Sequence, residues 1–313
     1  MRFVDHIRSH AFSLSEGSIY ERLRRNPSIA FDPQLAHATL IYDSEAAKIL
    51  QQVHQEYLDV GQKYQLAMFA LTDTWRASQE RIDKSEFRHK RVNQDNAAFL
   101  DTIRTGYNNR AAPIYLGGLL GPKGDAYKPE ESPPRDEAEE YHTPQIEALA
   151  ESNIDFLYAS TMPAFAETLG MAAVLSRTEL PYVLSFVVRP NGRLLDNTPL
   201  DEVVREMDSM RNPPTGYAIN CVHPSVFSEA LSILKAKDES LLSRLLSFQA
   251  NTSAKRPEEL DALEELETEE PQTLAELMVG IQKEFKTVFM GGCCGTSTAH
   301  IECLAQTYQN SHR

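Results

Sequence analysis

Gly216-Tyr217-Ala218-Ile219-Asn220-Cys221 is a short apolar run that ends on an amide and a thiol. It does not alternate apolar with polar residues. A continuous run of this length is what a parallel strand covered on both faces gives. Seven further runs read as strands: Ala11–Leu14, Tyr64–Leu71, Ile114–Leu119, Asp155–Ala159, Tyr182–Val187, Leu245–Gln249 and Thr287–Met290. Amphipathic stretches lie between them. Asp43 to Asp59 puts Ala46, Ile49, Leu50, Val53, Tyr57 and Leu58 near one face, and Glu139 to Ser152 does the same with Ile146, Leu149 and Ala150. Asp201 to Met210 follows the helix-start signal Thr198-Pro199-Leu200. Strand–helix alternation repeated eight times predicts an α/β fold, a single (β/α)8 TIM-type barrel over residues 1–313. An open, doubly wound sheet is the alternative.

The bulk numbers agree. A chain of 313 residues fits a barrel that commonly runs to about 250 residues or more. Apolar residues make up 42%, enough for a core, and the net charge of −14 argues against phosphate-backbone binding. No apolar stretch approaches the roughly 20 residues of a membrane span. The start, Met1-Arg2-Phe3-Val4-Asp5-His6, is charged and lacks a secretory signal's apolar run. A cytoplasmic protein with no nucleic-acid or membrane partner is expected. A homo-oligomer is compatible with the sequence. Two stretches read as surface loops: Tyr127 to Pro144, rich in proline and acid, and the acidic run Lys255 to Pro271.

Four cysteines in a chain this long are no disulfide scaffold and suit metal-binding, catalytic or core roles. Active-site residues of such barrels sit at the C-terminal ends of strands. Cys221 ends the sixth strand, and Cys293-Cys294, set between glycines in Phe289-Met290-Gly291-Gly292-Cys293-Cys294-Gly295-Thr296, follows the eighth. One strand separates them, so their mouths stand roughly 10 Å apart at about 4.8 Å per strand. Zn–S bonds of about 2.3 Å and the reach of cysteine side chains can close that gap. The expected metal set is Cys221, Cys293 and Cys294 around Zn2+ at the C-terminal face, with a vacant fourth position. Such a thiolate-rich ion is a poor source of hydroxide but suits a bound substrate thiol. A redox or buried pair is the competing reading for Cys293-Cys294. Cys303, in a helical pattern, reads as a core residue.

Gly-Gly-Cys-Cys-Gly-Thr at 291–296, with Asn220-Cys221 upstream, resembles the zinc signature of the homocysteine S-methyltransferases. Weaker likenesses follow in the right order. Thr72-Asp73-Thr74-Trp75-Arg76-Ala77-Ser78 is similar to the family's Thr-Asn-Thr-Tyr-x-Ala-Ser, and Gly117–Gly124 to its Gly-Ser-x-Gly-Pro-x-Gly loop. His142–Leu149, Thr161-Met162-Pro163 with Glu167, and Ser185-Phe186 match later units. The resemblance implies a (β/α)8 barrel in which zinc holds the homocysteine sulfur and a small donor of the S-methylmethionine type gives up its methyl group to form methionine. No catalytic residue beyond the zinc-activated substrate thiol is expected.

Two departures stand out. The family's opening Asp-Gly-x-x-Gly-Thr is here Glu16-Gly17-Ser18-Ile19-Tyr20-Glu21, and its ammonium-holding glutamate before Thr-Met-Pro is Ser160. A serine offers a hydrogen bond without charge, and a charge-assisted bond is roughly twice as strong. Glu16 could supply the missing charge or be an exposed loop carboxylate. The expected substrate-binding set is Glu16, Gly17, Asp73, Thr74, Ser160 and Asn220. His223 is a possible fourth ligand but reads better as a helix-start residue. Tyr20, Trp75 and Tyr115 are aromatics that could face a cationic donor, or simply pack. The alternatives to a homocysteine enzyme are a divergent zinc methyltransferase acting on another thiol or selenol, and a non-catalytic zinc-binding barrel.

Overall fold

The computed structural model describes residues 2–108, 110–255 and 268–312. Eight parallel strands close into a barrel in sequence order: β1 (Ser13–Ser15), β2 (Met68–Leu71), β3 (Ile114–Leu120), β4 (Phe156–Met162), β5 (Tyr182–Phe186), β6 (Gly216–Val222), β7 (Leu245–Ala250) and β8 (Phe289–Gly292). The closing pair is β1 with β8, Ser13 opposite Phe289 and Leu14 opposite Met290. All eight expected strands are present, and the open sheet is excluded. β4 to β8 are buried throughout, which is why their sequences run apolar on both faces.

The expected helices form too. Ser44–Tyr64 starts at Asp43, whose carboxylate accepts from the Glu45 and Ala46 amides, and it buries Leu50, Val53, Tyr57 and Leu58. Leu200–Asp208 buries Val203, Val204 and Met207. The stretch Tyr127 to Pro144 is not the surface loop its composition suggested. Its second half is the start of the helix Arg135–Ala150, which holds Pro144 in its interior. The prolines before it and the acids Asp136 and Glu137 in its first turn are start signals, because carboxylates favour a helix N-terminus. Most of Lys255 to Pro271 lies outside the described residues.

Inside the barrel, the N-terminal end is filled with rings. Phe69 lies 4.5 Å from Phe289 and 5.3 Å from Tyr115 between centroids. The helix Phe3–Arg8 closes this floor, with Phe3 stacked 4.3 Å from Phe156. Tyr115 therefore belongs to the floor and not to the mouth. It is the second residue of β3, and a strand's first residues lie at the opposite end of the barrel from its last.

Candidate active site and metal centre

At the C-terminal mouth, Cys221 is the penultimate residue of β6 and takes an unusual backbone, φ 58°. The register with β7 shifts between Asn220 and Val222. This kink turns Asn220 and Cys221 to the same side, where a regular strand would point them apart. Thr161 at the end of β4 has the same left-handed geometry, φ 62°. From beside the first kink, the Asn220 amide ties β6 to the second and to β5. Its nitrogen donates to Ser160 Oγ (3.1 Å) and Thr161 Oγ1 (2.7 Å). Its oxygen accepts from Thr161 N (3.0 Å) and Ser185 Oγ (2.6 Å).

Cys293 and Cys294 occupy the turn after β8. Cys293 N donates to Ala250 O (2.7 Å), and Thr296 Oγ1 donates back to Cys293 O (2.7 Å) while accepting from Ser18 N (3.0 Å). Gly295 makes the turn at φ +83°, where a Cβ would stand 1.9 Å from Thr252 Oγ1. Cys221 Sγ then lies 2.7 Å from Cys293 Sγ and 3.4 Å from Cys294 Sγ, and all three sulfurs are within 4.8 Å of one another. Among the described residues no fourth His, Cys, Asp or Glu joins them. His223 is the N-cap of Pro224–Lys237; its Nδ1 accepts from Ser225 N (3.2 Å) and its Nε2 meets Glu269 (3.1 Å).

The donor set fits a thiophilic cation. Hydrogen bonds from the Cys293 and Cys294 thiols pull Cys221 well below the usual thiol range against the cost of burial, with help from Tyr127. Facing Cys221, the other two are pushed well above that range. One proton leaves readily; the next two need a positive charge among the sulfurs, because buried like charges repel strongly. All four cysteines of the chain are free thiols, and Cys303 packs half-buried against the core.

A cavity of about 440 Å³ opens above the thiols, lined by Glu16, Gly17, Asp73, Ser160 and Asn220 together with Cys221, Cys293 and Cys294. Thr74 is the exception among the expected substrate residues. It is fully buried behind the wall, where its hydroxyl donates to Leu119 O (2.6 Å) and ties the segment after β2 to β3. Glu16 is no exposed loop residue: it is 4% exposed, and its Oε2 accepts from Leu71 N (3.0 Å).

Three contributors went unread in the sequence. His54, on the helix Ser44–Tyr64, reaches fully buried between Glu16 Oε1 (2.6 Å) and Asp73 Oδ2 (3.0 Å). Burial alone would lower its pKa, but the carboxyl groups of Glu16 and Asp73 overrule that and hold it up at about 10. Burial likewise opposes ionisation of Asp73, yet His54 and His37 keep it well below the usual carboxylate range. His37 Nε2 stands 3.2 Å from Asp73 Oδ1. The signal for His54 was its place on the apolar face, four residues after Leu50 and three before Tyr57. The third is Tyr127, in a stretch expected to be surface loop. Its hydroxyl donates to Cys221 Sγ (3.0 Å), and burial together with the three thiols raises its own pKa.

The loop carrying Tyr127 is anchored by a buried carboxyl. Glu167 Oε1 accepts from Lys123 N (2.6 Å) and meets His142 Nε2 (3.0 Å). Three motifs distant in sequence thus meet to hold the loop that brings Tyr127 to the thiol cluster.

The model of the family described as homocysteine S-methyltransferase matches residues 14–308. The chain belongs to the homocysteine S-methyltransferase family. It is a methyltransferase whose reactants are small molecules, a thiol and a methyl donor. The homocysteine S-methyltransferase of Escherichia coli (strain K12) is 25% identical over 278 residues, covering 83% of this chain and 84% of that protein. The Bacillus subtilis (strain 168) homocysteine S-methyltransferase YbgG is 24% identical over 194 residues, 56% of this chain and 59% of that one. In shape, the metallated form of the E. coli homocysteine methyltransferase MmuM superposes with a TM-score of 0.75 at 22% identity, covering 95% of this chain and 96% of that one. A broad-specificity endoglucanase from an uncultured bacterium shares the barrel at a TM-score of 0.55 and 10% identity. That likeness shows how general the scaffold is, since function resides in the site grafted on it. In this member of the homocysteine S-methyltransferase family the described helices include none long and apolar enough to cross a membrane.

Proposed function

We propose that the protein is a zinc-dependent S-methyltransferase that moves a methyl group from a small donor of the S-methylmethionine type to homocysteine, giving methionine. The observation that carries this reading is the cluster of three thiols at the floor of an open cavity, with no fourth protein donor among the described residues. Structural zinc sites are normally closed by four protein ligands; a set of three leaves room for a substrate atom. Cys221, Cys293 and Cys294 are the proposed ligands, and zinc bound there would supply the positive charge that makes a substrate thiol acidic at neutral pH.

The chain's own residues orient the reactants. Tyr127 donates to Cys221 and holds that sulfur in place. Glu16, Gly17, Asp73 and Ser160 face the cavity and are proposed to receive the amino-acid half of the acceptor. Asn220 lines the cavity but acts as a support for its wall, since its amide already makes four protein hydrogen bonds. In the reaction the acceptor sulfur's electron pair forms the new S–C bond as the donor's S–C bond breaks. The donor sulfonium leaves as a neutral thioether, and the thiol proton goes to solvent. Holding both reactants in line is worth up to about 7–11 kcal/mol in good geometries.

The test is methionine formation by metal-loaded protein from homocysteine and S-methylmethionine, alongside Cys293→Ser. The wild type is expected to turn over, and the variant to lose both zinc and activity. A metal-replete protein inert with sulfonium, betaine and methyl-pterin donors would overturn the reading. Ser160 in place of the family's glutamate favours a second reading, another thiol or selenol as acceptor. A thiol panel in which homocysteine clearly outruns the others removes it.

A further inference from the structure

A recess of about 200 Å³ opens beside the main cavity and shares its Tyr20, Trp75 and Arg76 walls. Phe31, Asp32 and Arg81 complete the part that matters chemically. The cations around the two cavities differ in how they are paired. Arg24 and Arg25 both meet Glu21, at 2.9 and 3.5 Å. Arg76 and Arg81 bond to backbone carbonyls instead: Arg76 Nη1 to Gly124 O (2.7 Å) and Pro122 O (3.4 Å), Arg81 Nη1 to Gln34 O (3.2 Å). Neither forms an ion pair with a carboxylate among the described residues. Asp32, the acid in the recess, is engaged by its own turn, with Oδ1 accepting from Gln34 N and Leu35 N (2.8 Å each).

The Arg76 guanidinium is also fixed. It lies 4.2 Å over the Trp75 ring. Trp75 is fixed in turn against Gly121, where a Cβ would come 2.4 Å from Trp75 O and 2.6 Å from its ring. A planar donor fork held on an aromatic face, with a second guanidinium close by, is pre-organised for a carboxylate. Burial and the charge of Arg81 push Arg76 below its usual range, with Asp125 only partly offsetting them. An incoming anion would relieve that repulsion.

We propose that this recess is the carboxylate subsite of the methyl donor, with Arg76 its principal anchor and Arg81 its support. The inference rests on the sulfonium-donor reading above and narrows it. A donor bearing a carboxylate a few bonds from the sulfonium would be seated by its acid end in the recess while its methyl group faces the thiols. The aromatic walls, Tyr20, Phe31 and Trp75, suit the apolar stem between those ends and tolerate its positive charge.

Calorimetric titration tests this. S-methylmethionine and its methyl ester are titrated into the metal-loaded protein without acceptor. The free acid is expected to bind at least about tenfold more tightly than the ester, the scale of a charge-assisted bond. That preference should vanish in Arg76→Gln, return in part in Arg76→Lys, and shrink in Arg81→Gln, while KM for homocysteine stays within about twofold. Equal affinity for acid and ester in the wild type overturns the subsite. So does an undiminished preference in Arg76→Gln, or a loss that falls equally on both compounds. If neither compound methylates homocysteine but the acid–ester preference and its loss persist, the donor reading fails and the carboxylate subsite stands.

Discussion

Cys221 holds a backbone conformation that L-residues with a Cβ rarely adopt, at a cost of about 1–3 kcal/mol. Thr161 shares it on a strand two places away. The pair persists because the amide of Asn220, the residue before Cys221, is saturated by Ser160 and Thr161 at the β4 kink and by Ser185 on β5. The strain has a use, since it brings a thiol and the clamping amide to the same side of the strand. The second unusual residue is His54. Its pKa rises from 6.5 to about 10 on folding, so its contribution to stability is fully present below pH 6.5, declines above it and is gone once the pH passes about 10. Asp73 works in the opposite sense: its pKa is depressed, so its contribution is present above its unfolded value of 3.8 and is lost as the pH falls further. Replacing His54 with Gln takes the shared cation from two buried carboxyl groups and leaves Asp73 with His37 alone. A loss of about 3–5 kcal/mol is expected at pH 6, the scale of breaking a buried pair. The loss should shrink above pH 10. Urea unfolding at the two pH values checks this; a loss independent of pH would mean the histidine acts through packing alone.

At the scale of elements, the loop between β3 and the helix Arg135–Ala150 does most to complete the site. It brings Tyr127 to Cys221, and it is held from below by Glu167 on the helix Phe165–Leu175. Glu167→Ala should therefore speed amide exchange across residues 121–128 and weaken metal binding, while leaving exchange in β6 and β8 slow. Uniform acceleration through the barrel would instead mark a global defect. This loop is also where the sequence misled. Its prolines and acids read as solvent-exposed because composition reports average exposure, whereas Tyr127 is placed by a carboxylate 40 residues further along the chain. The strands were legible for the converse reason. Both faces of a barrel strand are covered, so apolar residues run without interruption, and the positions of Cys221 and Cys293-Cys294 at strand ends followed from counting. The boundaries were less legible: β2 begins at Met68, because Tyr64 still belongs to the preceding helix, which ends with Gln65 in a left-handed cap. His54 was readable only as a polar residue on an apolar stripe, and its partners, Glu16 and Asp73, lie on other strands' loops.

For the whole molecule, the barrel separates two tasks along its axis. The N-terminal end is packed with Phe3, Phe69, Tyr115, Phe156 and Phe289 and carries stability. The C-terminal end holds thiols on one side and the Glu16–His54–Asp73 network on another, around a cavity open to solvent. In the proposed enzyme the three thiols hold a zinc ion whose fourth position belongs to the substrate. X-ray absorption at the zinc edge of the metal-loaded protein, before and after adding homocysteine, tests it most directly. Three sulfur neighbours at about 2.3 Å and one lighter atom are expected, becoming four sulfurs once the thiol is present. A first shell closed by four protein atoms and unchanged by homocysteine would contradict it.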